Sequence, residues 1–100
     1  MGTAVVVDRE KLANYCQDKR ITRLSMFGSV LRDDFNENSD VDVLVEFEPG
    51  ARVSYFTLGG IQQDLSDLFG RHVDLKTPET LSRYIRKRVL ESAEPIYVRG

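Results

Sequence analysis

The chain has 100 residues, a formal net charge of −2 and a pI near 5.4. This length predicts a single domain, residues 1–100, which is too small for separate substrate and cofactor domains. The slight acidity argues against tight, non-specific binding to nucleic acid. No stretch approaches the roughly 18 apolar residues of a membrane span, and the lone Cys16 cannot form an intrachain disulfide, so we expect a cytoplasmic location.

A helix and a strand are predicted first along the chain. Asp8 is a suitable N-cap for a helix over about residues 9–19, in which Leu12, Tyr15 and Cys16 form one apolar stripe. Cys16 is therefore expected to be a small buried apolar side chain. Residues 21–27 are rich in apolar and β-branched residues and contain no Gly or Pro, which predicts a strand.

A phosphate-binding element is predicted directly after this strand. Gly28 ends the strand and allows the backbone to approach a ligand closely. Ser29 suits the start of a short helix over about residues 29–34, where free N–H groups and the helix dipole favour an anion. Arg32 shares a face of that helix with Ser29 and would add a cation.

Three aspartates suggest a metal site beside that element. Asp40 and Asp42 open a second predicted strand, residues 41–47, and the two-residue period of a strand places both on one face. Two adjacent carboxylates repel each other, and Mg²⁺ removes that conflict. Asp74, on a later predicted strand, would complete a carboxylate triad. The combination indicates transfer of a nucleotidyl group from a nucleoside triphosphate under two-metal control.

The second half of the chain alternates predicted helices and strands. Residues 51–60 do not decide between loop and helix, whereas residues 61–69 predict an amphipathic helix that ends at Gly70. Residues 72–75 predict a short strand. Thr77-Pro78-Glu79 is a favourable helix start, and the following helix is expected to reach about Glu94. The stripe expected to be buried on that helix comprises Leu81, Tyr84, Ile85 and Val89. Residues 96–98, after Pro95, predict an edge strand.

This alternation predicts an α/β (α+β) fold in which helices flank a mixed sheet, with ligand sites where strands meet loops. Tyr55 and Phe56 are expected to pack in the core, with stacking on a base as the alternative. His72 is expected to lie beside the site without a chemical role. The basic run on the last predicted helix (Arg83, Arg86, Lys87 and Arg88) is interpreted as a solvated face, with a surface for an acidic protein or an RNA as the alternative.

The combined motif resembles the DNA polymerase beta-like nucleotidyltransferase superfamily and, more narrowly, its minimal nucleotidyltransferase (MNT) antitoxins. The resemblance runs from about residue 21 to residue 95. It rests on Gly-Ser-Val-Leu-Arg at 28–32, Ser-Asp-Val-Asp-Val-Leu-Val-Glu-Phe at 39–47, and the segments at 58–65 and 73–81. Asp33 and Asp34 depart from many relatives, which carry a small residue after the position of Arg32.

The resemblance implies a nucleotidyltransferase fold in which Asp40, Asp42 and Asp74 hold Mg²⁺, and Gly28-Ser29 contacts the triphosphate of ATP. It also implies a partner, a helical HEPN-domain toxin. Such antitoxins transfer AMP to one tyrosine of that toxin. The chain and its toxin would form a hetero-oligomer. Two alternatives remain open: a non-catalytic antitoxin that neutralises the toxin by binding, and the catalytic subunit of a small-molecule nucleotidyltransferase.

Overall fold

The computed structural model describes residues 8–28 and 40–99. In chain order, the described elements are helix α1 (Arg9–Asp18), strands β1 (Ile21–Phe27) and β2 (Val41–Phe47), helix α2 (Tyr55–Phe69), strand β3 (Val73–Lys76), a 3₁₀ turn (Pro78–Thr80), helix α3 (Arg83–Ser92) and strand β4 (Glu94–Val98). The predicted short helix at 29–34 lies outside the described residues. Among the described helices, none is long and apolar enough to cross a membrane.

The four described strands form one mixed sheet in the order β3-β2-β1-β4. Strand β1 pairs antiparallel with β2 and with β4, whereas β2 pairs parallel with β3. Local sequence explains the ends of several elements. The Asp8 carboxylate accepts hydrogen bonds from the backbone of Glu10 and Lys11 at the start of α1, and Gly70 ends α2 in the left-handed conformation.

The core lies between one face of this sheet and helices α1 and α2. It is built from apolar side chains that alternate along the strands, such as Val41, Val43 and Val45 of β2, and from the stripes of the two helices. Cys16 is fully buried in this core, as predicted. The sequence-based expectation of helices flanking a mixed sheet is therefore confirmed.

Three predictions about the second half of the chain were wrong. The favourable helix start at Thr77 produces only the 3₁₀ turn, and α3 begins six residues later, at Arg83. Leu81 is buried, but Tyr84 and Ile85 are 84% and 46% exposed and α3 buries no residue, because no described element covers them. Tyr55 and Phe56, expected in the core, occupy the exposed first turn of α2 and are 85% and 93% exposed.

Candidate active site

Gly28 brings the end of β1 into close contact with the side chain of Asp42. Its φ is +74°, a left-handed conformation that L side chains rarely adopt. A Cβ added at this position would lie 3.2 Å from Cγ of Asp42 and would overlap the Oδ2 atom of that carboxylate. Residue 28 must therefore be glycine for two reasons: the backbone conformation, and the space that the Asp42 carboxylate occupies.

Asp42 and Asp74 are direct partners in the parallel register of β2 and β3. Their neighbours Val41 and Val73 are also register partners, and both belong to the core. Because side chains alternate along a strand, the two aspartates lie on the face of the sheet opposite to the core that α1 and α2 cover. The fold thus brings together two carboxylates that are 32 positions apart in the sequence.

Asp40 and Asp74 each have a basic group close by. Nδ1 of His72 lies 3.2 Å from Oδ1 of Asp40, and Nζ of Lys76 lies 3.4 Å from Oδ1 of Asp74. All four side chains are between 39% and 64% exposed, so each contact contributes little to stability. Lys76 instead offsets part of the negative charge of Asp74, and His72 lies within hydrogen-bonding distance of Asp40.

The contact of His72 with Asp40 was missed by the sequence analysis, which gave His72 no chemical role. The parallel register explains the contact. Val41 pairs with Val73, and the backbone N–H of Val41 donates to the carbonyl of His72 at 3.0 Å, so Asp40 and His72 each precede paired residues. The sequence contains an Asp-Val pair and a His-Val pair at the starts of two predicted strands. Only the register between the strands shows that Asp40 and His72 are neighbours.

The predicted site residues differ in how fully the structure tests their placement. Gly28, Asp42 and Asp74 meet at one end of the sheet, and Asp40 lies directly before β2. Ser29 and Arg32 fall outside the described residues. Within residues 8–28 and 40–99, no three His, Cys, Asp or Glu side chains are grouped closely enough to hold a metal ion by themselves.

The paired carboxylates nevertheless suit Mg²⁺. This ion usually keeps several waters and is held by one or two carboxylates together with the phosphates of a substrate, so it does not need three protein ligands. Asp42 and Asp74 supply such a pair on the face of the sheet away from α1 and α2. The space that Gly28 leaves beside Asp42 lets the backbone approach the same region. The described residues therefore fit an ion that a nucleotide brings with it.

A cavity of about 720 Å³ lies at the other end of the sheet. Its walls include Val45 and Phe47 from the end of β2, Tyr55 and Leu58 from α2, and the 3₁₀ turn after β3. The strands β2 and β3 are parallel, so their starts carry the aspartates and their ends line this cavity. The cavity and the carboxylate pair are separate features of the sheet.

Comparison with known proteins is consistent with this arrangement. The family model described as "Nucleotidyltransferase domain" matches residues 9–96. Protein adenylyltransferase MntA of Thermococcus cleftensis is 36% identical over 78 residues, which cover 78% of this chain and 75% of that protein. A solved structure named "putative minimal nucleotidyltransferase" is 33% identical, with a TM-score of 0.71, and the match covers 87% of each chain.

The structure of a tri-AMPylated Shewanella oneidensis HEPN toxin in complex with an MNT antitoxin has the same fold, with a TM-score of 0.63. That match is 17% identical and covers 90% of this chain and 69% of the other. The chain belongs to the nucleotidyltransferase domain family. Its resemblance to the minimal nucleotidyltransferases, and the prediction that it is a nucleotidyltransferase enzyme, are confirmed.

Proposed function

We propose that this chain transfers AMP from ATP to a tyrosine of a HEPN-domain toxin and so acts as the antitoxin of a pair. The observation that carries the proposal is the direct pairing of Asp42 with Asp74, beside Gly28, on the face of the sheet away from α1 and α2. Carboxylates at such a position hold the cation that accompanies a triphosphate. Relatives named as protein adenylyltransferases support the class of reaction.

The protein groups divide between nucleotide and acceptor. The backbone at Gly28, with Ser29 and Arg32 as the predicted further contacts, binds the triphosphate. Asp40 and Asp42 lie on the nucleotide side, with His72 holding the Asp40 side chain. Asp74 lies on β3, at the edge of the described sheet, and is the carboxylate that we assign to the acceptor side. When bound, Mg²⁺ would supply charge neutralisation for the triphosphate and for the transition state.

The reaction joins the acceptor to the α-phosphate of ATP. The tyrosine hydroxyl oxygen forms a bond to the α-phosphorus, and the bond from that phosphorus to the oxygen bridging to the β-phosphate breaks. The product is a tyrosine linked to adenosine through a phosphodiester. Pyrophosphate leaves, and the hydroxyl proton is released to solvent. The chain's contribution is to align the hydroxyl with the bond that breaks, which a 1 Å error can slow by about 100-fold.

The acceptor is expected to be a macromolecule because the carboxylate pair lies on an open surface. Asp74 of that pair is 39% exposed, and the nearby Asp40 is 59% exposed. The solved complex of an MNT antitoxin with an AMPylated HEPN toxin supports a HEPN protein as that acceptor. A small-molecule acceptor would require a second chain to enclose it.

The test is intact-mass spectrometry of a HEPN-domain toxin that is incubated with this chain, ATP and Mg²⁺. The wild type is expected to add AMP, and Asp42→Asn to abolish the addition. The control Asp18→Asn removes an exposed carboxylate at the end of α1, away from the site, and is expected to retain full transfer. A HEPN protein that is neutralised without modification would overturn the enzymatic proposal in favour of neutralisation by binding.

A further inference from the structure

We infer that the outer face of α3 is the docking surface for the acceptor protein, and that the partner presents acidic groups to it. We define the α3 face as Arg83, Tyr84, Lys87 and Arg88. The inference rests on the proposed function, because it concerns how that acceptor reaches the carboxylates. It begins from the failed expectation that Tyr84 would be buried, since Tyr84 is 84% exposed.

The α3 face has the composition of a binding surface. Tyr84, Lys87 and Arg88 are spaced by three and four residues, so they lie on the same side of the helix. The guanidinium of Arg83 lies 5.6 Å from the centre of the Tyr84 ring, a cation–π contact that holds the ring in place. Tyr and Arg are the residues most enriched among those that dominate binding energy at interfaces.

The charge of α3 selects an acidic partner. The helix carries four basic side chains (Arg83, Arg86, Lys87 and Arg88) and one acidic side chain, Glu91, in a chain whose net charge is −2. Lys87 and Glu91 pair at 3.9 Å, so an excess of positive charge remains. Two copies of this face would repel each other across a symmetric contact, which argues against a second copy of the chain as occupant.

The path of α3 places this face near the carboxylates. The connection from β2 to β3 and the connection from β3 to β4 run in opposite directions across the sheet. Crossovers between parallel strands are right-handed, so α3 is expected on the opposite face of the sheet from α2, which is the face of Asp42 and Asp74. Helix α3 contributes no residue to the core that α1 and α2 share with the sheet.

The end of α3 leads towards the site. Strand β4 follows α3 after one residue, and Glu94 pairs with Met26, two positions before Gly28. Helix α3 therefore runs from the far end of the sheet towards the contact between Gly28 and Asp42. A partner bound along α3 would extend in the same direction. An RNA is the less suitable occupant, because acidic Glu91 shares the helix and the site ahead is lined by carboxylates.

The test compares two double charge reversals with equal change in net charge. Lys87→Glu with Arg88→Glu reverses the α3 face, and Lys11→Glu with Lys19→Glu reverses two exposed positions at α1, on the other side of the sheet. AMP transfer to a HEPN-domain toxin is measured against the concentrations of that toxin and of ATP. We expect the α3 variant to raise KM for the acceptor by about tenfold and to weaken its salt dependence.

KM for ATP should stay at the wild-type value in both variants, and the α1 variant should also keep the wild-type KM for the acceptor. Tyr84→Ala, which changes no charge, should raise the acceptor KM by a similar factor. An unchanged acceptor KM in the α3 variants overturns the inference. The inference is also overturned if the wild type binds a single-stranded RNA oligonucleotide and only the α3 variants lose that binding.

If the wild type transfers no AMP, the proposed function fails, but the docking inference is still decided. Titration calorimetry of the same variants with the HEPN protein then measures binding directly. Weakened binding by the α3 variants alone supports docking at α3, and equal binding by all variants refutes it.

Discussion

Replacing Gly28 with alanine is expected to disable the enzyme while leaving the fold in place. The added Cβ would lie 3.2 Å from Cγ of Asp42 and still closer to Oδ2. Carbon atoms make favourable contact at about 3.5–4.0 Å, so the carboxylate must move by roughly 1 Å. A displacement of that size at a reacting centre reduces the rate by about 100-fold. The left-handed backbone, with φ of +74°, adds a strain of about 1–2 kcal/mol.

Gly70→Ala separates these two effects. Gly70 has a φ of +68°, almost that of Gly28, but a Cβ there meets no atom within 4 Å. Both variants should lose about 1–2 kcal/mol of free energy of unfolding in urea from backbone strain, and Gly28→Ala should lose more, because its Cβ also displaces the Asp42 carboxylate. Only Gly28→Ala should lose AMP transfer. If Gly28→Ala retains wild-type kcat and KM while its stability falls as expected, the Asp42 carboxylate does not lie at the reacting centre.

Three further outcomes are expected. Asp74→Asn should retain binding of ATP with Mg²⁺ better than Asp40→Asn does, yet lose AMP transfer, which calorimetry and mass spectrometry of the acceptor check in parallel. Burial raises the pKa of the Cys16 thiol to about 12. Iodoacetamide at mildly alkaline pH should therefore alkylate Cys16 in the unfolded chain only. Rapid alkylation of the folded chain would contradict this burial. Leu65→Ala, at a fully buried position, should cost about 2–5 kcal/mol in urea unfolding, whereas Leu90→Ala, 43% exposed, should change stability by about 0.5 kcal/mol or less.

The elements that local sequence specifies were predicted closely. The strands at 21–27 and 41–47 have the predicted bounds, and Gly70 ends α2, because β-branched runs and a left-handed glycine act over a few residues. The stripe on α3 was misjudged for a related reason. A 3.6-residue period indicates that a helix has an apolar side, but it does not say whether this chain or another covers that side.

The candidate site was predictable as residue types and only partly as geometry. Strand periodicity predicts that Asp40 and Asp42 share a face, but β2 begins at Val41, so Asp40 only precedes the strand. The pairing of Asp42 with Asp74, and the contact of Asp40 with His72, depend on the register between β2 and β3. Register is set by long-range packing of core residues such as Val73, which no local pattern in the sequence reveals.

The position of β3 at the edge of the described sheet links catalysis to local unfolding. This strand has four residues and pairs through β2 alone, and short edge elements open at a lower free energy than the centre of a sheet. Opening of β3 would remove Asp74 from Asp42 while β1, β2 and β4 remained paired. The enzyme would then be switched off by fluctuations too small to unfold it. Any contact that held β3 against β2 would therefore keep the carboxylate pair complete.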